Sequence, residues 1–147
     1  MSHMPLSSII FTGGFIMNIR VLRLLKNVTS LELEQKKTHH FCEDMPSKAI
    51  NSKLSTEVDT RVLNNFFFRN RDIYISKHNR FADYPMHTHT FLEMNYMLQG
   101  TATEIVEGEK IVLHSGDLLL LDVGSKHAIQ ALDEEDILIN ILFREQT

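Results

Sequence analysis

The chain has 147 residues, 43% of them hydrophobic and 23% charged, which is the balance of one ordinary globular domain and not of a disordered or fibrous protein. Its formal charge of −4 argues against the basic field that draws a protein onto nucleic acid or an anionic bilayer. The single cysteine, Cys42, excludes an internal disulfide and fits a reducing, cytoplasmic setting.

Met1-Ser-His-Met4 looks like a cloning scar, with Met17 as the natural start, so residues 1–16 are expected to carry little structure. The run from Ile9 to Ile16 is apolar, but two glycines interrupt it and it is too short to span or anchor in a membrane. Residues 17–69 read as a partly helical amino-terminal segment. Within it Leu22, Leu25, Val28 and Leu31 recur at spacings of three between Arg20, Arg23 and Lys26, which predicts an amphipathic helix over 19–35. Gln35 to Lys53 is polar and reads as a loop or linker, with His39 and His40 on the surface. Ser55 is placed to cap a helix carrying Val58, Val62 and Leu63, and Phe66, Phe67 and Phe68 read as core.

Residues 70–147 change texture. Short β-rich runs broken by turn residues at intervals of roughly ten mark a sandwich or barrel. The predicted strands are Asp72–Ser76, Phe91–Leu98, Thr101–Val106, Lys110–Leu113, Leu118–Leu121 and Asp136–Phe143, with a hairpin turn at Glu107-Gly108-Glu109. His78 reads as a solvated residue at a strand end.

On one unbroken strand, His87, His89, Phe91, Glu93, Asn95 and Met97 project to the same side, because strand side chains alternate. With His127 arriving from another strand, three imidazoles and a carboxylate suit one divalent Zn, Mn, Fe, Ni or Cu ion with open positions for water or substrate. The same residues also read as a metal-free set, hydrogen-bonded to backbone or to Glu93, and a buried Glu93 requires a partner in either case. Phe91, Asn95 and Met97 share the histidine face and are the candidate ligand-binding residues. The opposite face, Leu92, Met94, Tyr96 and Leu98, is also apolar, so this strand is expected to pack against a helix or a second subunit.

His87-Thr-His89-Thr-Phe-Leu-Glu93-Met-Asn-Tyr-Met-Leu-Gln-Gly100 resembles the first motif of the cupin superfamily, and Gly116-Asp-Leu-Leu-Leu-Leu-Asp122-Val-Gly124-Ser-Lys-His127 resembles the second. Phe81 stands where the first motif has a leading glycine, Asp122 where the second has a proline, and Ala131 where it has an asparagine. The resemblance implies a mainly β fold, a cupin-type double-stranded β-helix or jelly-roll barrel, with His87, His89, Glu93 and His127 as metal ligands. The whole run from Pro85 to His127 is similar to the sensory domain of AraC-type transcription regulators. That resemblance implies a small-molecule effector, a homodimer, and DNA contacted through a carboxy-terminal domain absent here, so that the chain is a fragment of a longer regulator. The alternatives are a metal-dependent cupin enzyme, for which no catalytic residue is identified, and a stand-alone binding module.

Overall fold

The structure is a computed structural model and describes residues 9–12, 15–51 and 60–144. Ser55 and Val58 of the expected helix, the Met1–Met4 segment and the tail beyond Arg144 lie outside these residues.

Strands β1 (Ile9–Thr12) and β2 (Phe15–Asn18) form an antiparallel hairpin, in a stretch expected to carry little structure. Two helices follow, α1 (Ile19–Lys26) and α2 (Ser30–Thr38), where the periodicity predicted one. The break is a capping box: the Thr29 hydroxyl accepts from the Glu32 amide while the Glu32 carboxylate accepts from the Thr29 amide, so a new helix begins there. His39, in the left-handed conformation at φ 56°, ends α2. A 3₁₀ turn at Ser47–Ala49 leads to Ile50, which bridges to Leu63.

Val62 and Leu63 are not helical. They belong to β3 (Arg61–Leu63), which runs parallel to β5 (Tyr84–His89) at the edge of a sheet. Val62 is β-branched and both side chains are buried, so sheet packing overrides the helical spacing. The phenylalanine triplet sits in a 3₁₀ turn, Asn65–Phe68, with Phe68 fully buried and Phe66 half exposed.

The remaining strands are β4 (Ile73–Lys77), β6 (Leu92–Gln99), β7 (Thr101–Val106), β8 (Glu109–His114), β9 (Leu118–Leu121), β10 (His127–Ile129) and β11 (Ile137–Phe143). They make two facing sheets, β3-β5-β10-β7-β8 and β4-β11-β6-β9, which is a mainly β jelly roll with two short helices at its side. The inward faces are closed at one end by an apolar cluster of Tyr84, Met97, Leu113, Ile129, Leu132 and Leu138. Leu63, Phe68, Phe91 and Leu142 form a second cluster toward the other end.

Helix α1 packs Leu22 against Leu98 and Ile137, so the second face of β6 is partly covered by a helix, as its apolar character suggested. The helices are tied down by a buried ion pair. Arg80, fully buried, donates from Nε to Glu32 Oε1 at 2.9 Å and from its terminal nitrogens to the carbonyls of Lys26, Asn27 and Glu134. Burial alone raises the Glu32 pKa. Hydrogen bonds from Arg80, the Thr29 amide and Lys77 outweigh it and hold it at about 2. Phe81, where the first cupin motif has glycine, adopts φ 74°, so the backbone there keeps the conformation that glycine serves.

Candidate metal centre and ligand chamber

The strand expected to run unbroken from His87 to Met97 is two strands in two sheets, turned at Thr90-Phe91. His87 and His89 stand on β5 of one sheet, and Glu93, Asn95 and Met97 on β6 of the other. All five still point inward, because the two sheets face each other across the interior. A bulge helps: His127 pairs with His87 while Ile129 pairs with Tyr84, so an extra residue at Pro85-Met86 turns both Tyr84 and His87 inward.

Because His127 on β10 lies directly opposite His87, their ring centroids are 4.0 Å apart. The donor atoms of His87, Glu93 and His127 all lie within 4.8 Å of one another. His89 places its Nε2 3.2 Å from Glu93 Oε2, and His127 Nε2 lies 3.7 Å from the same oxygen. The four residues are at most 4% exposed.

Each imidazole turns Nδ1 toward a backbone carbonyl: His87 to Pro85, His89 to Phe91 and His127 to Ser125. A carbonyl only accepts, so each Nδ1 carries a proton, and each Nε2 is the ring nitrogen left to face the centre. The Nε2 atoms of His89 and His127 are buried with no hydrogen-bond partner. Burial first, and then neighbouring imidazoles, holds the pKa values of His87 and His127 below the usual range, so these two are neutral. Burial raises the Glu93 pKa, but His89, His127 and His78 outweigh it and the net direction is downward. A buried carboxylate needs a positive partner, which a proton on a neighbouring imidazole or a bound cation supplies.

The donor set fits such an ion. Two ligands of one transition metal at ~2.1 Å can be ~4.2 Å apart at most, so closing the observed spread takes a shift of about half an ångström. Imidazole Nδ1 anchored to a carbonyl is also the usual outer support of a metal-bound histidine.

Beside the centre opens a chamber of about 200 Å³ lined by His87, Glu93, Phe91, Tyr84, His78 and Asn140, among others. His78 is therefore not a solvated strand end. It is 5% exposed, burial pushes its pKa down to about 4, and its Nδ1 is 3.5 Å from Asn140 Nδ2. Nothing in its local sequence marks it; only the pairing of β4 with β11 carries it inside. Of the candidate ligand residues, Phe91 lines the chamber. Asn95 lies deeper, donating to Glu104 Oε1 at 3.1 Å, and Met97 belongs to the apolar cluster. Glu104 is a site residue that the sequence reading passed over. It is fully buried on β7, and burial and the charge of Glu93 raise its pKa to about 8.

A two-sheet jelly roll with histidines from one sheet and a glutamate from the other meeting in its interior is a barrel of the cupin type. Residues 81–142 match the family model described as the cupin domain, so this part of the chain is a cupin domain. No curated protein matches the chain. Among solved structures it is similar to KdgF from Halomonas sp., at 25% identity over 50% of this chain and 68% of that one, with a TM-score of 0.44. It is likewise similar to the DMSP lyase DddQ from Ruegeria pomeroyi DSS-3, at 27% identity and TM-score 0.43, covering 50% of this chain and 38% of that one. A predicted oxalate decarboxylase from Thermotoga maritima is 21% identical over 51% of this chain and 67% of that one, with a TM-score of 0.43. These overlaps take in about half of this chain.

No helix among the described residues is long and apolar enough to cross a membrane.

Proposed function

We propose that the barrel binds one divalent transition metal ion through His87, Glu93 and His127, with His89 as the fourth ligand, and a small organic molecule in the chamber beside it. The observation that carries this reading is the convergence of the His87, Glu93 and His127 donor atoms within 4.8 Å of one another in the buried interior. When bound, the metal supplies Lewis acidity and a water of lowered pKa. The chain's own part is to hold the imidazoles in one tautomer, to keep Glu93 charged, and to shape the chamber with Phe91, Tyr84 and Asn140. Metal content by mass spectrometry of the purified, tag-free protein tests the reading. One equivalent is expected, falling below about a tenth in His87→Ala and His127→Ala. Equal metal in the parent and both variants refutes it.

A second reading concerns what the binding is for. The outward face of the four-stranded sheet carries two uncharged rows, Ile73–Phe143–Leu92 and Ile75–Ile141–Met94–Leu120, paired residue by residue. Ile73, Ile75, Leu118 and Leu120 are 51–63% exposed. With strands ~4.8 Å apart and rows ~6.8 Å apart, these seven residues cover roughly 230 Å² in projection, a little less than the largest apolar patch on a typical monomer. Exposed Val21 and Leu24 on α1 extend it toward the ~800 Å² per partner that a stable dimer buries. Two apolar rows without a charge are self-complementary, which favours a second copy of this chain. The cupin domain then serves as the sensing and dimerising half of an AraC-type regulator, answering an effector in the chamber. Sedimentation equilibrium tests it: a dimer is expected, dissociated by Leu120→Asp. A monomeric parent protein at about 50 μM sinks this reading and leaves the metal reading standing.

A further inference from the structure

The chamber beside the centre has a neighbour. A second cavity of about 380 Å³ shares Asp44, Met45 and Tyr74 as walls with the first and is otherwise lined by Pro46, Phe66, Phe68, Arg69 and Arg71. The shared walls make it a neighbour of the inner chamber, here called the vestibule. Its chemistry differs from the rest of this acidic chain. Arg69 and Arg71 are exposed, and among the described residues neither makes an ion pair with a carboxylate. Lys48, 5.9 Å above the Phe66 ring, adds a third cation at the rim. The backbone fixes the two arginines: Arg69 takes φ 54° at the end of the 3₁₀ turn, its carbonyl accepts from Arg144 Nη1 at 3.2 Å, and the Arg71 amide donates to the Phe68 carbonyl at 3.0 Å. The acid at the neck, Asp44, is already engaged by Asn79 Nδ2 at 3.2 Å and the Tyr84 hydroxyl at 3.3 Å.

The inner chamber carries the complementary request. Asn140 stands opposite Ser76 on the paired strand, and its buried Oδ1 has no hydrogen-bond partner. A buried amide oxygen without a donor is destabilising, and a ligand hydroxyl relieves it.

We propose that the two cavities are one elongated site for a hydroxylated organic anion, whose charged end rests on Arg69 and Arg71 and whose hydroxyl-bearing end lies against Asn140 beside the His87–Glu93–His127 centre. Guanidinium groups hold a carboxylate or phosphate by paired, charge-assisted hydrogen bonds, and the half-exposed Phe66 covers the intervening carbon chain. The placement of the inner end rests on the metal-centred reading; the anion site at the mouth does not.

The test is calorimetric titration of zinc-loaded protein with straight-chain dicarboxylates from succinate to pimelate, each with and without a 2-hydroxyl group, and with butyrate to heptanoate as singly charged controls. At least one dicarboxylate should bind roughly tenfold more tightly than its monocarboxylate match, because a second charge gains charge-assisted bonds. The Arg69→Gln/Arg71→Gln double variant should erase that preference with zinc stoichiometry unchanged, and Asn140→Ala should erase the preference for the 2-hydroxyl. The proposal is overturned if the double variant keeps the preference, or if no probe binds the parent at about 10 mM. If the parent takes up no zinc, the metal reading fails by itself. Thermal shift of metal-free protein with the monocarboxylates, parent against the Arg69→Gln/Arg71→Gln variant, then decides the anion site: stabilisation of the parent alone supports it, and equal shifts or none overturn it.

Discussion

Exchanging Glu93 for glutamine keeps the side chain's shape and removes the carboxylate charge from among the imidazoles. In the parent protein, a metal at a thousand times its dissociation constant stabilises the fold by about 4 kcal/mol, which for a chain of this size raises Tm by about 8–16 °C. Loss of an outer-shell partner typically costs 10–100-fold in affinity, and loss of the charged ligand itself is expected to cost about a thousandfold. At the same metal concentration the variant then sits at its own dissociation constant, where binding contributes about 0.4 kcal/mol and a Tm rise of about 1 °C. Without metal the two proteins should melt within about 3 °C of each other, because glutamine fills the same space. The assay is scanning calorimetry at pH 7, with and without zinc or nickel. A variant that keeps the parent's metal-dependent Tm rise refutes the assignment of Glu93 to the centre.

Glu104 and Glu32 bend the pH profile in opposite directions. With its pKa at about 8 in the fold, Glu104 keeps its proton after the unfolded chain has lost it, so stability falls from about pH 4.5 up through 8. Glu104→Gln should match the parent near pH 4.5 and exceed it by a few kcal/mol at pH 8, as read by urea melts at both pH values. Glu32, held at about 2, contributes stability that is complete above pH 4.5 and lost as pH falls toward 2. Glu32→Ala strands the Arg80 guanidinium in the interior and should cost about 3–5 kcal/mol at pH 7 in chemical denaturation. At Gly100, φ is 83° and a Cβ atom would come within 1.9 Å of Asp136 Oδ1. Gly100→Ala should therefore destabilise by about 2–4 kcal/mol, and a midpoint unchanged in urea would contradict that geometry.

The strands of the carboxy-terminal half were legible because turn residues punctuate them; Thr101–Val106 and Leu118–Leu121 carry the bounds read from their alternation. The convergence of His87, Glu93 and His127 was legible as well, though for a different geometric reason. The parity argument assumed one strand, whereas the chain turns at Thr90-Phe91 and the facing of two sheets restores the alignment. What escaped was set by partners distant in sequence. Val62 and Leu63 have helical spacing and are strand because β5 offers an edge. The single helix expected over 19–35 is cut by the Thr29–Glu32 capping box, a local signal that the leucine periodicity masked. His78, Glu104 and the vestibule arginines owe their positions to strand pairing and to a 3₁₀ turn, which no local pattern records.

The turn at Thr90-Phe91 has a mechanical consequence. It puts His87, His89 and His127 on one sheet and Glu93 on the other, in a protein whose lone cysteine leaves no covalent bond between the two layers. An ion gripped by all four would act as a rivet through the barrel. Peeling the sheets apart would then require dative bonds to break before the apolar contacts yield, so metal supply would set how long each folded molecule lasts as well as how much of it is folded.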